Sequence, residues 1–134
     1  MRTGGSDTNG DSGHGSTLYN RYMMSYAAYG LYNATLDYFG IHPGVTQICT
    51  NDMALPFGGK FDIYRNWQSP HFEHDRGTAV DVAGPTSGQC PVPNQVNLAD
   101  FLESCITFGA IRRYSIAEGN HAHCNWANPA TYPH

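Results

Sequence analysis

Charge is scarce in this chain. Charged residues fill 13% of its 134 positions, about half of the roughly 25% usual in a soluble domain. The formal net charge is −4 with His neutral. A basic face is therefore lacking, which excludes nucleic acid and anionic membrane surfaces as main partners. No apolar run approaches the ~20 residues of a membrane span, and no charged-then-apolar leader is present. The chain then reads either as cytosolic or as the mature part of a secreted protein. No CxxC pair occurs among Cys49, Cys90, Cys105 and Cys124, so a zinc ribbon is excluded. The chain is also too short for a second core, which leaves one domain.

What is present is aromatic, glycine-rich and rich in imidazole. Aromatics make up 13%, with nine Tyr and six Phe, beside 15 Gly. Such a composition argues against disorder over most of the length. Four cysteines in a chain poor in Lys suit a secreted protein with two disulfides. Three pairings are open, a Cys124–Cys90 or Cys124–Cys49 bridge among them, and buried free thiols are the alternative. Seven His among so few charged groups point to metal or proton chemistry.

Residues 1–16 contain five Gly and no apolar residue beyond Met1. That segment cannot offset its ordering entropy and reads as a flexible tail or linker. The folded unit is expected over 17–134. From 16 to 38 the pattern predicts a helix, capped by Ser16 or Thr17 and stopped by Gly40 and Pro43. Tyr19, Met23, Tyr26, Ala27, Gly30, Leu31, Ala34 and Tyr38 form its core-facing stripe. Strands are expected at 45–50, 61–64 (short) and 78–82, the last after a turn at Gly77. A second helix is expected over 96–108, with Asn94 or Asn97 as cap and Gly109 as stop. Residues 110–116 and 121–126 read as a hairpin around Glu118-Gly119-Asn120. The order of elements predicts an α+β domain, an antiparallel sheet flanked by helices.

Two short stretches concentrate the imidazoles: His71-Phe-Glu-His74-Asp-Arg-Gly77-Thr-Ala79-Val-Asp81, and Glu118-Gly-Asn-His121-Ala-His123. Residues two apart on a strand share a face, so His121 and His123 project together. His74 and Asp81 lie an odd number of residues apart and would point oppositely along one strand. A turn at Asp75-Arg76-Gly77 brings His74 back beside Asp81, and the small Ala79 leaves room on that face. A His/Asp/His set with an open position suits a catalytic zinc site. A nearby Glu suits the general base on its water. Cys124 follows His123 directly and points to the other face, so it packs or forms a disulfide.

His74-x-x-Gly77-x-Ala79-x-Asp81 resembles the HxxGxAxD motif of the zinc D-alanyl-D-alanine peptidases and the metal-site motif of the hedgehog signalling domain. Glu118…His121-Ala-His123 is similar to the E…HxH end of the same superfamily, which includes lysostaphin-type endopeptidases. The resemblance implies a hedgehog/DD-peptidase-like fold, one Zn2+ and hydrolysis of peptide bonds in bacterial cell-wall peptides. It implies His74 and Asp81 as the first two ligands and Glu118 as general base. The third ligand matches His123 on the HxH reading, which we prefer, with His121 handling a proton or the transition state. It matches His121 if the spacing of the D-Ala-D-Ala enzymes is followed. Where those peptidases carry Ser two residues before the first ligand, this chain has Phe72, with His71 one further back. Their upstream Arg has no recognisable counterpart. Lys60 or Arg65 can take its place near a developing oxyanion, and Trp67 can wall a substrate groove. Core packing is the expected role of Trp67 and Trp126 alike, a groove wall being the alternative for both, and Arg112-Arg113 are expected on a solvated strand edge. The overall expectation is a secreted or extracytoplasmic, monomeric zinc metallopeptidase acting on a peptide substrate. Its alternative is a non-catalytic zinc-containing binding module.

Overall fold

The computed structural model describes residues 2–3, 22–51, 74, 76–85 and 96–127. Among them the chain forms a small α+β unit: β1 (Arg2–Thr3), α1 (Ser25–Ile41), β2 (Cys49–Asn51), β3 (Ala79–Ala83), α2 (Leu98–Thr107), a 3-10 turn (Arg112–Tyr114), β4 (Ile116–Glu118) and β5 (His121–Asn125). The sheet runs β1-β2-β3-β5-β4. Its last four strands pair antiparallel. The two residues of β1 add a parallel ladder on β2; the rest of the tail expected over 1–16 lies outside the described residues, as does the short strand expected at 61–64.

The helix α1 forms where apolar residues recur at three- and four-residue steps. Ala27, Gly30, Leu31, Ala34 and Tyr38 are its buried face, as their spacing predicts. Its start differs from expectation. The helix begins at Ser25, and Met24 occupies the cap position without a side-chain cap bond. The Met24 N–H is instead taken by the carbonyl of Gly77 at 2.8 Å. Tyr26, expected inside, is 43% exposed, since it lies one position off the face that Ala27 and Leu31 define. The end falls at Ile41, one residue beyond Gly40, and the His42 N–H closes on the Tyr38 carbonyl at 2.8 Å.

Helix α2 is capped by Asn97, whose Oδ1 accepts the N–H groups of Ala99 and Asp100 at 3.1 and 3.3 Å. This satisfies two donors that the first turn leaves open. Gly109, at φ +94°, ends it, in the left-handed conformation that glycine adopts without penalty. The strand expected at 110–116 shrinks to Ile116–Glu118. Arg112 and Arg113 lie in the 3-10 turn rather than on a strand edge, and Arg112 grips Glu103 through two hydrogen bonds of 2.7 and 2.6 Å.

Alternation along β3 and β5 divides the sheet into two faces. Val80, Val82 and Cys124 join Ala27, Leu31, Ala34 and Tyr38 of α1 and Phe101 and Cys105 of α2 in one apolar core. Both described helices therefore cover the same face. Full burial of a side chain such as Leu31 or Phe101 contributes about 1.5–3 kcal/mol. Trp126 belongs to this core, with its indole N–H donated to the Phe108 carbonyl at 3.0 Å. A disulfide joins Cys105 of α2 to Cys124 of β5. The expected partners of Cys124, Cys90 or Cys49, are thus corrected. Cys124 faces the helices, where Cys105 is presented at a Cα separation of 6.3 Å, inside the range a disulfide spans. Cys49 is disulfide-bonded as well.

Candidate metal centre

The other face of the sheet carries the chemistry. Asp81 on β3 and His123 on β5 are direct cross-strand partners in the antiparallel register. Their side chains therefore leave the sheet on the same side, close enough to touch. His123 Nδ1 lies 2.8 Å from Asp81 Oδ1. His121, two residues earlier on β5, pairs with Ala83. Its Nε2 stands 4.0 Å from the second carboxylate oxygen, Oδ2.

His74 reaches this group from a turn. Gly77 sits at φ +66° and returns its N–H to the His74 carbonyl at 3.1 Å. The reversal removes the odd-spacing problem between His74 and Asp81. His74 Nε2 comes within 3.5 Å of Asp81 Oδ1. Its ring meets that of His123 edge to face, with centroids 4.9 Å apart. The turn is itself held in place by the bond from Met24 to the Gly77 carbonyl. Helix α1 thus sets the height of a residue that is remote from it in sequence.

His74, Asp81 and His123 offer donor atoms that all lie within 4.8 Å of one another. Two donors around a tetrahedral zinc at its usual bond lengths stand roughly 3.3 Å apart. The 2.8 and 3.5 Å separations about Asp81 Oδ1 bracket that value. Two imidazole nitrogens and one carboxylate oxygen also make a donor set that a catalytic zinc site uses. The group can hold a metal ion. His74 and Asp81 are buried, at 1% and 6% exposure, so water competes little for the donors.

Asp81 is the electrostatic pivot. Burial opposes its ionisation most strongly. The charge of His74 and the hydrogen bonds from His123 and His74 together outweigh burial, and they hold the carboxyl below the usual carboxylate range. An anion kept ionised in a buried place needs cations around it. His74 and His123 are the groups placed to meet it, and a divalent ion bound there would do the same.

The other residues expected at the site divide into two sets. Glu118 ends β4 and is the register partner of His121 across the β4–β5 ladder, so the chain places it beside the HxH strand. His71, Lys60, Arg65 and Trp67 lie outside the described residues. One participant escaped the reading of the sequence. Asn120, which the sequence places in a turn, has its Oδ1 2.8 Å from His121 Nδ1. Its position directly before an HxH pair was the available signal. His42 pairs with Asp100 at 3.0 Å and stacks on Tyr38, a helix-end contact away from the metal group. No family model, curated protein or solved structure matches this chain.

Proposed function

We propose that the protein is a zinc-dependent metallopeptidase of hedgehog/DD-peptidase-like fold that hydrolyses peptide bonds in cell-wall peptides. The observation that carries this reading is the convergence of His74, Asp81 and His123 donors within 4.8 Å. They converge in the order and spacing of the HxxGxAxD…HxH pattern. His74, Asp81 and His123 hold the ion. A zinc ion held there would supply a Lewis acid. Glu118 acts as general base and takes the proton of the attacking water. His121 takes up a proton at Nε2 and passes it toward the leaving amine. Lys60 or Arg65 supplies the further cation, with His71 and Trp67 on the substrate side. The Cys105–Cys124 disulfide is consistent with an oxidising, extracytoplasmic compartment, where a cell-wall substrate lies. No helix among the described residues is long and apolar enough to cross a membrane.

The test is metal analysis of the purified protein at neutral pH, followed by turnover of synthetic cell-wall peptides by wild type and Glu118→Ala. The expected result is one zinc per chain in both proteins, with cleavage lost only in the variant. Absence of bound zinc sinks the reading. Zinc present without cleavage of any peptide, and with no effect of Glu118→Ala, leaves the non-catalytic zinc module instead.

A further inference from the structure

His121 Nδ1 lies 2.8 Å from Asn120 Oδ1, while its Nε2 faces Asp81 Oδ2 at 4.0 Å. An amide oxygen only accepts, so this contact requires the ring proton on Nδ1. That leaves Nε2 as the ring nitrogen turned toward the carboxylate. Neighbouring residues of a strand point to opposite faces, which would forbid the contact. Asn120 escapes that rule because it sits in the turn before β5 rather than within the strand. Its backbone is tied down independently: its carbonyl accepts the Gly84 N–H at 2.7 Å, at the end of β3. The side chain therefore starts from a fixed point.

We infer that Asn120 is the positioning residue of His121, fixing its tautomer and turning Nε2 to the metal group. A base oriented by a third group through its far nitrogen is a recurring arrangement in catalysis. Partners of this kind fix both tautomer and ring orientation. Asn120 touches neither substrate nor metal in this scheme. It sets which nitrogen of His121 acts. The consequence for turnover rests on the proposed function; the tautomer itself does not.

The experiment has two arms on the full chain, with and without added zinc. In the first, nitrogen NMR of the histidine rings reads the tautomer of His121 in wild type, Asn120→Ala and Asn120→Asp. The wild type is expected to carry Nδ1–H, the alanine variant to shift toward Nε2–H, and the aspartate variant, which keeps an acceptor oxygen, to restore Nδ1–H. In the second arm zinc content and peptide turnover are measured. Zinc stoichiometry should be unchanged in all three. In Asn120→Ala, kcat should fall about 10- to 100-fold with KM little altered, and Asn120→Asp should recover part of the loss. An Nε2–H tautomer in wild type, or a tautomer indifferent to Asn120→Ala, overturns the inference. So does full kcat in a variant whose tautomer has moved. If the tautomer shifts as expected but wild type cleaves nothing, the positioning stands and the peptidase reading fails.

Discussion

Replacing Gly77 by alanine tests the geometry of the metal group most directly, because two separate penalties fall on one methyl. The backbone there is left-handed, at φ +66°, which costs a residue with a Cβ roughly 1–2 kcal/mol. An added Cβ would also stand 3.1 Å from Met23 Cα and 3.1 Å from Met24 N. Those are backbone atoms of the entry to α1, and they do not swing aside as a side chain does. Overpacking of this sort costs about 1–3 kcal/mol. The structure therefore predicts a loss of roughly 2–5 kcal/mol if the turn stays in place. If the turn moves to relieve the contact, His74 moves with it. In that case stability is less affected and the His74/Asp81/His123 group opens instead. Denaturant unfolding in chelator reads the first cost, and competition with a chromophoric chelator reads zinc affinity, where about a 10- to 100-fold loss is expected. Gly77→Asn separates the two penalties, since asparagine tolerates the left-handed region but still carries the Cβ. Gly40→Ala is the control, as nothing lies within 4 Å of its added Cβ. Stability within ~0.5 kcal/mol of wild type, together with unchanged zinc affinity in Gly77→Ala, would refute the argument that the turn is held against α1.

Removing the Cys105–Cys124 bridge by a double Cys→Ala substitution should destabilise the protein. For a sequence separation of 19 the loop-closure estimate is about 3 kcal/mol; calorimetry measures it, and an unchanged melting temperature contradicts it. The metal-free protein should lose stability in acid. The Asp81 carboxyl is depressed below its usual value, so the stability it contributes is present above the unfolded carboxylate range of ~4. It is lost as pH falls through the lower folded value. Chelator-treated protein titrated downward from about pH 5 should show that fall, and Asp81→Asn should flatten it. A slope unaltered by the substitution would assign the acid sensitivity elsewhere.

Much of this arrangement was legible in the sequence, and for identifiable reasons. The approach of His74 to Asp81, the turn and the shared face of His121 and His123 follow from strand parity and one glycine. Those are local rules, and β3 and β5 obey them. The cap at Asn97 and the stop at Gly109 are likewise local chemistry. What escaped depended on tertiary contact. The cap of α1 falls at Met24, seven or eight residues beyond the expected Thr17 or Ser16, because the Met24 N–H finds its acceptor in Gly77, more than 50 residues along the chain. Nothing in the stretch around Met24 announces that partner. The strand expected through Arg112 and Arg113 gives way to a 3-10 turn in which Arg112 binds Glu103 of α2. The bridge from Cys124 was open among three cysteines because spacing alone does not say which element packs on the helix side of β5.

The alternation of β5 separates stability from chemistry within five residues. Ala122 and Cys124 are buried at 0% exposure and belong to the face that α1 and α2 cover. His121 and His123 leave the opposite face and meet Asp81 at 4.0 and 2.8 Å. A strand held on one side by a disulfide and an apolar core has little freedom to slide. A one-residue slip would exchange the two sets and bring imidazoles into the core. That exchange buries polar groups against Val80, Val82 and Phe101, which offer no partners, and such burial costs several kcal/mol. The core therefore acts on the metal group without touching it. It fixes the register that sets Asp81 opposite His123, and the Met24–Gly77 contact then brings in His74. Two of the three donors depend on sheet register and the third on the seating of one helix, so the pair and the single donor can be lost separately.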